Sequence, residues 1–259
     1  MTRVLESEQR SEKWMMARAS VVTAADIPAF LGRSFYKPAH VAIHEKITRA
    51  LKLLCTHKED LVVAHQAASQ AAAPAIMWGV ENEPLAAEHF ERVTGHRLAF
   101  TGLLQHPTDH WLAGSPDAIT HCGVLVEFKC PFTRRISMTA TRPPHYYVDQ
   151  LEALLCITGL DKALYAEFKP PDTMAIIPFT ASPDWLGRNR DELLCVYYRL
   201  QLAIRGMDRP TPYYHPGFHD SSAPVGERTS SSSSPTIEAT CGGDTLSGGG
   251  APPVPTTSS

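Results

Sequence analysis

The stretch from Gly114 to Pro131 constrains the fold of this chain more than any other. Within it, Val124 to Phe128 is a short apolar run rich in β-branched and aromatic residues, a pattern typical of a buried strand. Because side chains alternate along a strand, Glu127 and Lys129 share one face with Leu125. The opposite face, which we predict to point into a core, carries Val124, Val126 and Phe128.

Glu127 and Lys129 are costly to place on a buried strand, and a structural salt bridge is the simplest explanation for them. Asp117 suggests another. It lies ahead of a Cys-Gly turn, so we expect it to end the preceding strand of a hairpin and to lie beside Glu127. Two close carboxylates repel each other unless a cation lies between them, and oxygen ligands suit Mg²⁺ or Mn²⁺. Two acids and a lysine around a hard cation suit phosphodiester hydrolysis.

The charge balance limits where a polyanion could bind. The 259 residues carry a formal net charge of −3, and four acids but only one base lie from Asp220 onward. Without that segment, acids and bases are equal in number. Any basic surface must therefore be local, and the densest arginine cluster consists of Arg134, Arg135 and Arg142.

Several classes of protein are disfavoured by composition. No apolar run approaches the roughly 18 residues of a membrane span, and the N-terminal residues lack the apolar core of a signal peptide. The six cysteines form no CxxC pair, which disfavours an iron–sulfur cluster and fits reduced thiols. We expect an intracellular protein of the cytoplasm or nucleus, neither secreted nor bound to a membrane.

The histidines give no metal-binding pattern by their spacing. His106 and His110 lie four residues apart, but no other pair among His96, His106, His110 and His121 has a spacing of two or four, and we expect no metal site from these four.

Periodicity and turn signals predict the elements in order. Helices are predicted at 5–17, 24–31, 39–55, 77–94, 145–158 and 183–205, and strands at 97–105, 111–114, 124–128, 162–168 and 174–179. Thr23 with Asp26 suggests a capping box, and Pro84 a kink or a fresh helix start. Ala87, Phe90 and Val93 are expected to face inward.

This order predicts an α/β or α+β fold with a mixed central sheet flanked by helices. We expect one domain over residues 1–210. Residues 56–75 are predicted to be a loop or a frayed helix. The composition of residues 216–259, dominated by Ser, Pro, Gly and Thr, predicts a disordered tail.

Pro116-Asp117 followed by Glu127-Phe128-Lys129 resembles the PD-(D/E)XK nuclease signature. Further pieces in the same order, over about residues 10–205, resemble the lambda-exonuclease-type branch, the YqaJ-like viral recombinase family. These pieces are Ala17-Arg18 with Val-Val-Thr-Ala, Gly79-x-x-x-Glu83-Pro84 with Phe90-Glu91 and Thr94-Gly95, Gly114-Ser115-Pro116-Asp117, and Tyr147-x-x-Gln150 with Thr158-Gly159. The resemblance implies a restriction-endonuclease-like fold.

The resemblance also implies roles for individual residues. The implied metal ligands are Asp117, Glu127, the backbone carbonyl of Phe128, and Glu83. Lys129 would position the attacking water, and Gln150 would orient Lys129 or that water. Arg18 and Ser115 would hold phosphate. The family commonly has serine where this chain has Ala25, which removes a hydrogen bond to phosphate.

The implied activity is a Mg²⁺- or Mn²⁺-dependent DNA exonuclease that shortens the 5′ strand from duplex ends in recombination or repair. Some members of the family form rings that enclose DNA, and many cooperate with a single-strand annealing protein. The resemblance therefore implies further copies of this chain and an annealing protein as partners. Two alternatives stay open: an endonuclease or nickase of the same fold, and a non-catalytic DNA-binding module. The three arginines 134, 135 and 142 are either a DNA track or a solvated surface.

Overall fold

The structure is a computed structural model, and it describes residues 2–6, 9–55 and 74–206. Six helices lie in these ranges: α1 Glu12–Ala19, α2 Ile27–Phe30, α3 Ala39–Cys55, α4 Pro74–Thr94, α5 His145–Thr158 and α6 Trp185–Ile204. Nine strands accompany them: β1 Arg3–Glu6, β2 Val22–Thr23, β3 Leu98–Ala99, β4 Leu103–Gln105, β5 Leu112–Gly114, β6 Ala118–Thr120, β7 Leu125–Lys129, β8 Lys162–Lys169 and β9 Thr173–Thr180.

The strands form two mixed sheets. The first has the order β1-β4-β5-β2 and the second the order β3-β6-β7-β8-β9. One pair in each sheet is parallel, β2 with β5 and β7 with β8, and the other pairs are antiparallel. The predicted mixed α/β class with flanking helices is confirmed, although the strands divide between two sheets.

Strand β7 lies at the centre of the five-stranded sheet and is covered on both faces. Leu125 belongs to the larger core, which includes residues of α2, α3, α5 and α6. Val126 and Phe128 belong to a second core with Phe90 of α4, whose ring meets that of Phe128 at 80° and 5.7 Å between centroids. The predicted alternation is therefore confirmed, and the face of Glu127 is also buried.

The predicted helix over residues 5–17 is wrong at its beginning. Leu5 lies on β1, which pairs antiparallel with β4, and the helix begins only after Ser11. The Ser11 hydroxyl caps it by accepting a hydrogen bond from the Trp14 backbone N–H at 3.1 Å. Pairing with a distant strand, which local periodicity does not report, decides the conformation of residues 3–6.

The predicted helix over residues 24–31 is limited to Ile27–Phe30, and its capping box is absent. Thr23 lies on β2, and its hydroxyl donates to the Asp26 carboxylate at 2.5 Å instead of binding backbone at the helix start. Asp26 makes no side-chain cap. Its carboxylate is used in tertiary contacts.

Helix α4 runs through Pro84 without a fresh start. Ala87 and Phe90 are buried as predicted, but Val93 is exposed. Each step of three residues turns the helix about 60° short of a full turn. Val93 is therefore rotated about 120° from Ala87.

The remaining predictions concern one strand and the two segments of polar composition. The predicted strand over residues 97–105 is divided into β3 and β4, which join different sheets. The predicted tail 216–259 and most of segment 56–75 lie outside the described residues. Within the described ranges, none of the helices is both long and apolar enough to cross a membrane.

Candidate active site

The β6–β7 hairpin brings Asp117 and Glu127 together. Ala118 pairs with Val126 and Ile119 with Leu125, so this register places Asp117 opposite Glu127. Asp117 precedes β6 and does not end a strand, which corrects the prediction in detail but not in outcome. The Phe128 backbone N–H donates to Asp117 Oδ2 at 2.7 Å and holds this carboxylate against β7.

Glu127 is the most enclosed acid of the site, with 2% of its surface exposed. Its Oε1 accepts hydrogen bonds from Lys129 Nζ and from Gln150 Nε2, both at 2.5 Å. Gln150 is buried and reaches Glu127 from α5. Lys129 and Gln150 therefore meet at one oxygen of Glu127, and the implied role of Gln150, to orient Lys129 or a water, stays a prediction.

The second oxygen of Glu127 has a different environment. Glu127 Oε2 is buried and has no hydrogen-bond partner within the described part of the chain. A buried carboxylate oxygen without a partner is costly, and such atoms call for an explanation such as an ion. With Asp117 adjacent, the donor set consists of carboxylate oxygens, which suits a hard divalent cation. The residues present therefore fit such an ion.

The electrostatics of the pair agree with that fit. Burial and then the charge of Glu127 raise the pKa of Asp117 well above its usual range. Burial lowers the pKa of Lys129, but the charges of Glu127 and Asp117 outweigh burial, so the pKa lies above its ordinary value. One ammonium thus faces two carboxylates, and the group lacks positive charge.

Glu83 reaches the same cavity from α4. A cavity of about 520 Å³ is lined by residues that include Glu83, Asp117 and Phe128. Glu83 Oε2 accepts a hydrogen bond from Arg10 Nη2 at 2.7 Å. Sequence reasoning missed Arg10, which follows β1 and lies 73 residues from its partner. The predicted contact of Glu83 and of the Phe128 carbonyl with a metal stays a prediction.

The two residues predicted to hold phosphate meet at Trp14. Trp14 Nε1 donates to Ser115 Oγ at 2.9 Å, and the Arg18 guanidinium carbon lies 4.3 Å from the centroid of the Trp14 ring. Burial lowers the pKa of Arg18. Trp14 therefore links α1 to the loop before Asp117, a contact across 101 residues that no local pattern indicates.

An ion pair between a buried lysine and a partly exposed aspartate lies beside Arg18. Lys46 of α3 is 5% exposed, and its Nζ donates to Asp26 Oδ2 at 2.8 Å and to the Arg18 carbonyl at 2.9 Å. Burial raises the pKa of Asp26, but the charges of Lys46 and Arg18 and two hydrogen bonds lower it to about 2. This pair adjoins Ala25, the position where the family commonly has serine.

The three clustered arginines behave differently from one another. Arg134 Nη1 donates to Glu167 Oε2 at 3.0 Å, and its Nη2 donates to Glu167 Oε1. Glu167 is buried on β8, in register with Lys129. All three arginines are exposed, and Arg134 is held beside the site by its ion pair with Glu167.

A second group with metal-ligand chemistry lies at the tip of the hairpin. His96, His121 and Cys122 have ligand atoms within 4.8 Å of one another, and Cys122 Sγ lies 3.7 Å from His96 Nδ1. The group is at the other end of β6 from Asp117. Sequence spacing did not link these residues, because His96 follows α4 and its partners lie in the hairpin turn.

Comparisons with known proteins agree with this architecture. The YqaJ-like viral recombinase domain matches residues 13–161. The chain is 25% identical over 182 residues to "Uncharacterized protein R354" of Acanthamoeba polyphaga mimivirus, a match that covers 64% of this chain and 30% of that protein. The chain thus spans less than a third of that relative.

Among solved structures, the chain is similar to the alkaline exonuclease LHK-Exo from Laribacter hongkongensis, determined on its own and in complex with dAMP. Each match has a TM-score of 0.60 and 21% identity, and covers 76% of this chain and 96% of that one. At this identity, the likeness establishes the fold.

Proposed function

The chain belongs to the YqaJ-like viral recombinase domain family, and from that premise we propose that it is a metal-dependent exonuclease that hydrolyses phosphodiester bonds from duplex DNA ends. Membership supports a nuclease role in recombination. The proposal adds the metal, the DNA end as substrate and a 5′-to-3′ direction. It also includes an intracellular location, in the cytoplasm or the nucleus.

One observation carries the proposal: among the described residues, Glu127 Oε2 has no hydrogen-bond partner, and it is buried beside the carboxylate of Asp117. Asp117 and Glu127, with the Phe128 carbonyl and Glu83, would hold Mg²⁺ or Mn²⁺. When bound, such a cation supplies positive charge that stabilises the developing charge on phosphate oxygens.

Lys129 and Gln150 orient the Glu127 carboxylate toward the proposed cation. Both donate to Glu127 Oε1, so this oxygen is fully used and Oε2 is the atom left for a cation. The Lys129 ammonium is held in place by Glu127, where it orients water toward a phosphate. Gln150 keeps the Glu127 carboxylate from rotating.

The surrounding arginines and Ser115 would position the DNA. Arg18 and Ser115, joined through Trp14, would hold phosphate near the reacting bond, without the serine hydroxyl that Ala25 replaces. Arg134, Arg135 and Arg142 would contact the duplex backbone. A single-strand annealing partner and a ring of identical subunits belong to the same proposal.

The test compares end-labelled linear duplex with a covalently closed circle, in Mg²⁺ and in EDTA. We expect wild-type protein to degrade only the linear DNA, from its 5′ ends and only with metal. Asp117→Ala should be inactive, and Asp172→Ala, which alters an exposed acid in the β8–β9 turn, should be active. Cutting of the circle would identify an endonuclease or nickase. DNA binding without cleavage by the wild type would identify a binding module.

A further inference from the structure

A continuous group of aromatic rings leads from Lys129 to the protein surface. Lys129 Nζ lies 5.1 Å from the centroid of the Tyr147 ring, and the Tyr146 ring follows at 4.6 Å. The next rings are those of Tyr36, 5.6 Å from Tyr146, and Phe35, 6.2 Å from Tyr146. We call these four residues the ring cluster.

The outer half of the ring cluster is open to solvent. Phe35 is 77% exposed and Tyr36 is 66% exposed. Side chains this large and this exposed contribute little to a core. Because the two rings lie next to each other, with centroids 5.9 Å apart and planes at 86°, they form a local apolar surface.

The inner half of the ring cluster and its loop are anchored. Burial, followed by the neighbouring Tyr36 hydroxyl, raises the pKa of Tyr147. On the same loop, Arg33 donates to Asp149 Oδ1 at 2.7 Å and to Asn189 Oδ1 at 2.9 Å. The exposed rings are therefore presented from a loop that is tied to α5 and α6.

Two arginines flank the ring cluster, and each is paired with a carboxylate of β8 or α5. Burial raises the pKa of Tyr146, and the charge of the nearby Arg134 opposes part of that rise. The Arg33 side chain is 48% exposed and lines a cavity of about 670 Å³ with Phe35 and His145. Exposed aromatic rings beside basic groups are the combination that binds single-stranded nucleic acid, because every base offers a face for stacking.

We propose that Phe35 and Tyr36 stack against unpaired bases of the DNA strand that enters the site at Lys129. This inference rests on the proposed function for the identity of the ligand. The ring cluster is continuous with Lys129, so an unpaired strand with a phosphate near this ammonium would have its neighbouring bases beside the exposed rings. Paired bases are stacked within the duplex, and for this reason the occupant is an unpaired stretch.

Binding without cleavage tests the proposal. Fluorescence anisotropy in EDTA would compare two duplexes whose ends are splayed into short unpaired arms, one with thymidine arms and one with abasic arms. Because stacking contributes up to a few kcal/mol per base, we expect the wild type to bind thymidine arms roughly tenfold more tightly. Equal affinity of the wild type for the two arms would overturn the proposal.

Variants assign the effect to the rings. Phe35→Ala and Tyr36→Ala should each reduce the preference for bases and leave affinity for the abasic duplex unchanged. Tyr36→Phe keeps the ring and should keep the preference. Tyr198→Ala is the matched control, since Tyr198 is an exposed tyrosine on α6 outside the ring cluster. An unchanged preference in Phe35→Ala and Tyr36→Ala would overturn the role of these rings.

The outcome is separable from that of the proposed function, because no cleavage is measured. A base preference that depends on Phe35 and Tyr36, in a protein that does not cleave DNA, would support the ring cluster and contradict the exonuclease. Cleavage of linear DNA by a protein that binds both arms equally would support the exonuclease and contradict the role of the ring cluster.

Discussion

Asp26 and Asp117 are both carboxylates in largely enclosed surroundings, yet their pKa values are shifted in opposite directions. Asp26 has its own ammonium in Lys46, a nearby Arg18 and a hydroxyl from Thr23, and its pKa is lowered to about 2. Asp117 shares Lys129 with Glu127, and its pKa is raised well above its usual range.

The difference separates a carboxylate that the protein itself neutralises from the proposed cation site. The charge of Asp26 is compensated by the protein itself, so the pair can stabilise the fold without a ligand. Asp117 and Glu127 share one ammonium, that of Lys129, and one buried oxygen of Glu127 has no partner among the described residues. Such an arrangement costs stability until a cation binds, which is the expected trade-off at an active site.

The largest expected effect is that of Asp117→Asn on cleavage. Asparagine can still accept the hydrogen bond from Phe128 N–H, but it removes one negative charge from the proposed cation site. We expect a loss of about a thousandfold or more in the rate of degradation of end-labelled duplex. Repulsion from Glu127 is relieved, so the melting temperature without metal should be unchanged or higher. A marked fall in melting temperature would make Asp117 a structural residue.

Lys46→Met should have the largest effect on stability. It leaves the Asp26 carboxylate enclosed and without its principal partner, which we expect to lower the free energy of unfolding in urea by about 3 kcal/mol. Lys46→Met combined with Asp26→Asn should recover part of the loss. The control is Lys37→Met, which removes a surface ion pair with Glu45 and should cost about 0.5 kcal/mol or less. Equal losses of unfolding free energy in Lys46→Met and Lys37→Met would show that the Lys46–Asp26 pair contributes no more than a surface pair.

Acid titration tests whether the ionised Asp26 carboxylate stabilises the fold. Because the pKa of Asp26 is about 2 in the folded state and 3.8 ordinarily, its contribution is complete above pH 3.8 and is lost as the pH falls toward 2. The shift corresponds to about 2 kcal/mol. Unfolding free energies of the wild type should fall more steeply across this window than those of Asp26→Asn. Parallel curves would show that Asp26 contributes no such stabilisation.

Gln150→Ala should have the smallest effect. It removes one of the two hydrogen bonds to Glu127 Oε1 and leaves the carboxylate in place. We expect roughly a tenfold loss of cleavage rate or of apparent Mg²⁺ affinity, as is usual for residues that orient a metal ligand. Gln201→Ala is the matched control, since Gln201 donates to the Ser20 carbonyl at 2.8 Å, outside the acidic site. Similar rates in both variants would leave Gln150 without a positioning role.

The sequence predicted those parts of the site that depend on short-range geometry. Asp117, Glu127 and Lys129 lie on one hairpin, and strand alternation with a two-strand register is enough to bring them together. Gln150 and Glu83 were placed by resemblance, and the structure brings both toward the acids.

The parts that sequence reasoning missed depend on long-range contacts. Arg10 meets Glu83, Trp14 meets Ser115, and Lys46 meets Asp26 across 73, 101 and 20 residues. Arg10, Trp14 and Lys46 belong to no motif that indicates these contacts. Residues 3–6 were missed for a similar reason, since their strand depends on pairing with the distant strand β4.

The most direct test is calorimetric titration of Mg²⁺ into DNA-free protein, with wild type, Asp117→Asn and Asp172→Asn compared. Mg²⁺ is the appropriate ion because it disfavours nitrogen and sulfur ligands, so the His96, His121 and Cys122 group should not contribute. We predict that the wild type and Asp172→Asn bind the cation, with binding abolished or greatly weakened in Asp117→Asn. Equal binding by all three proteins, or no binding by the wild type, would contradict a cation site at Asp117 and Glu127.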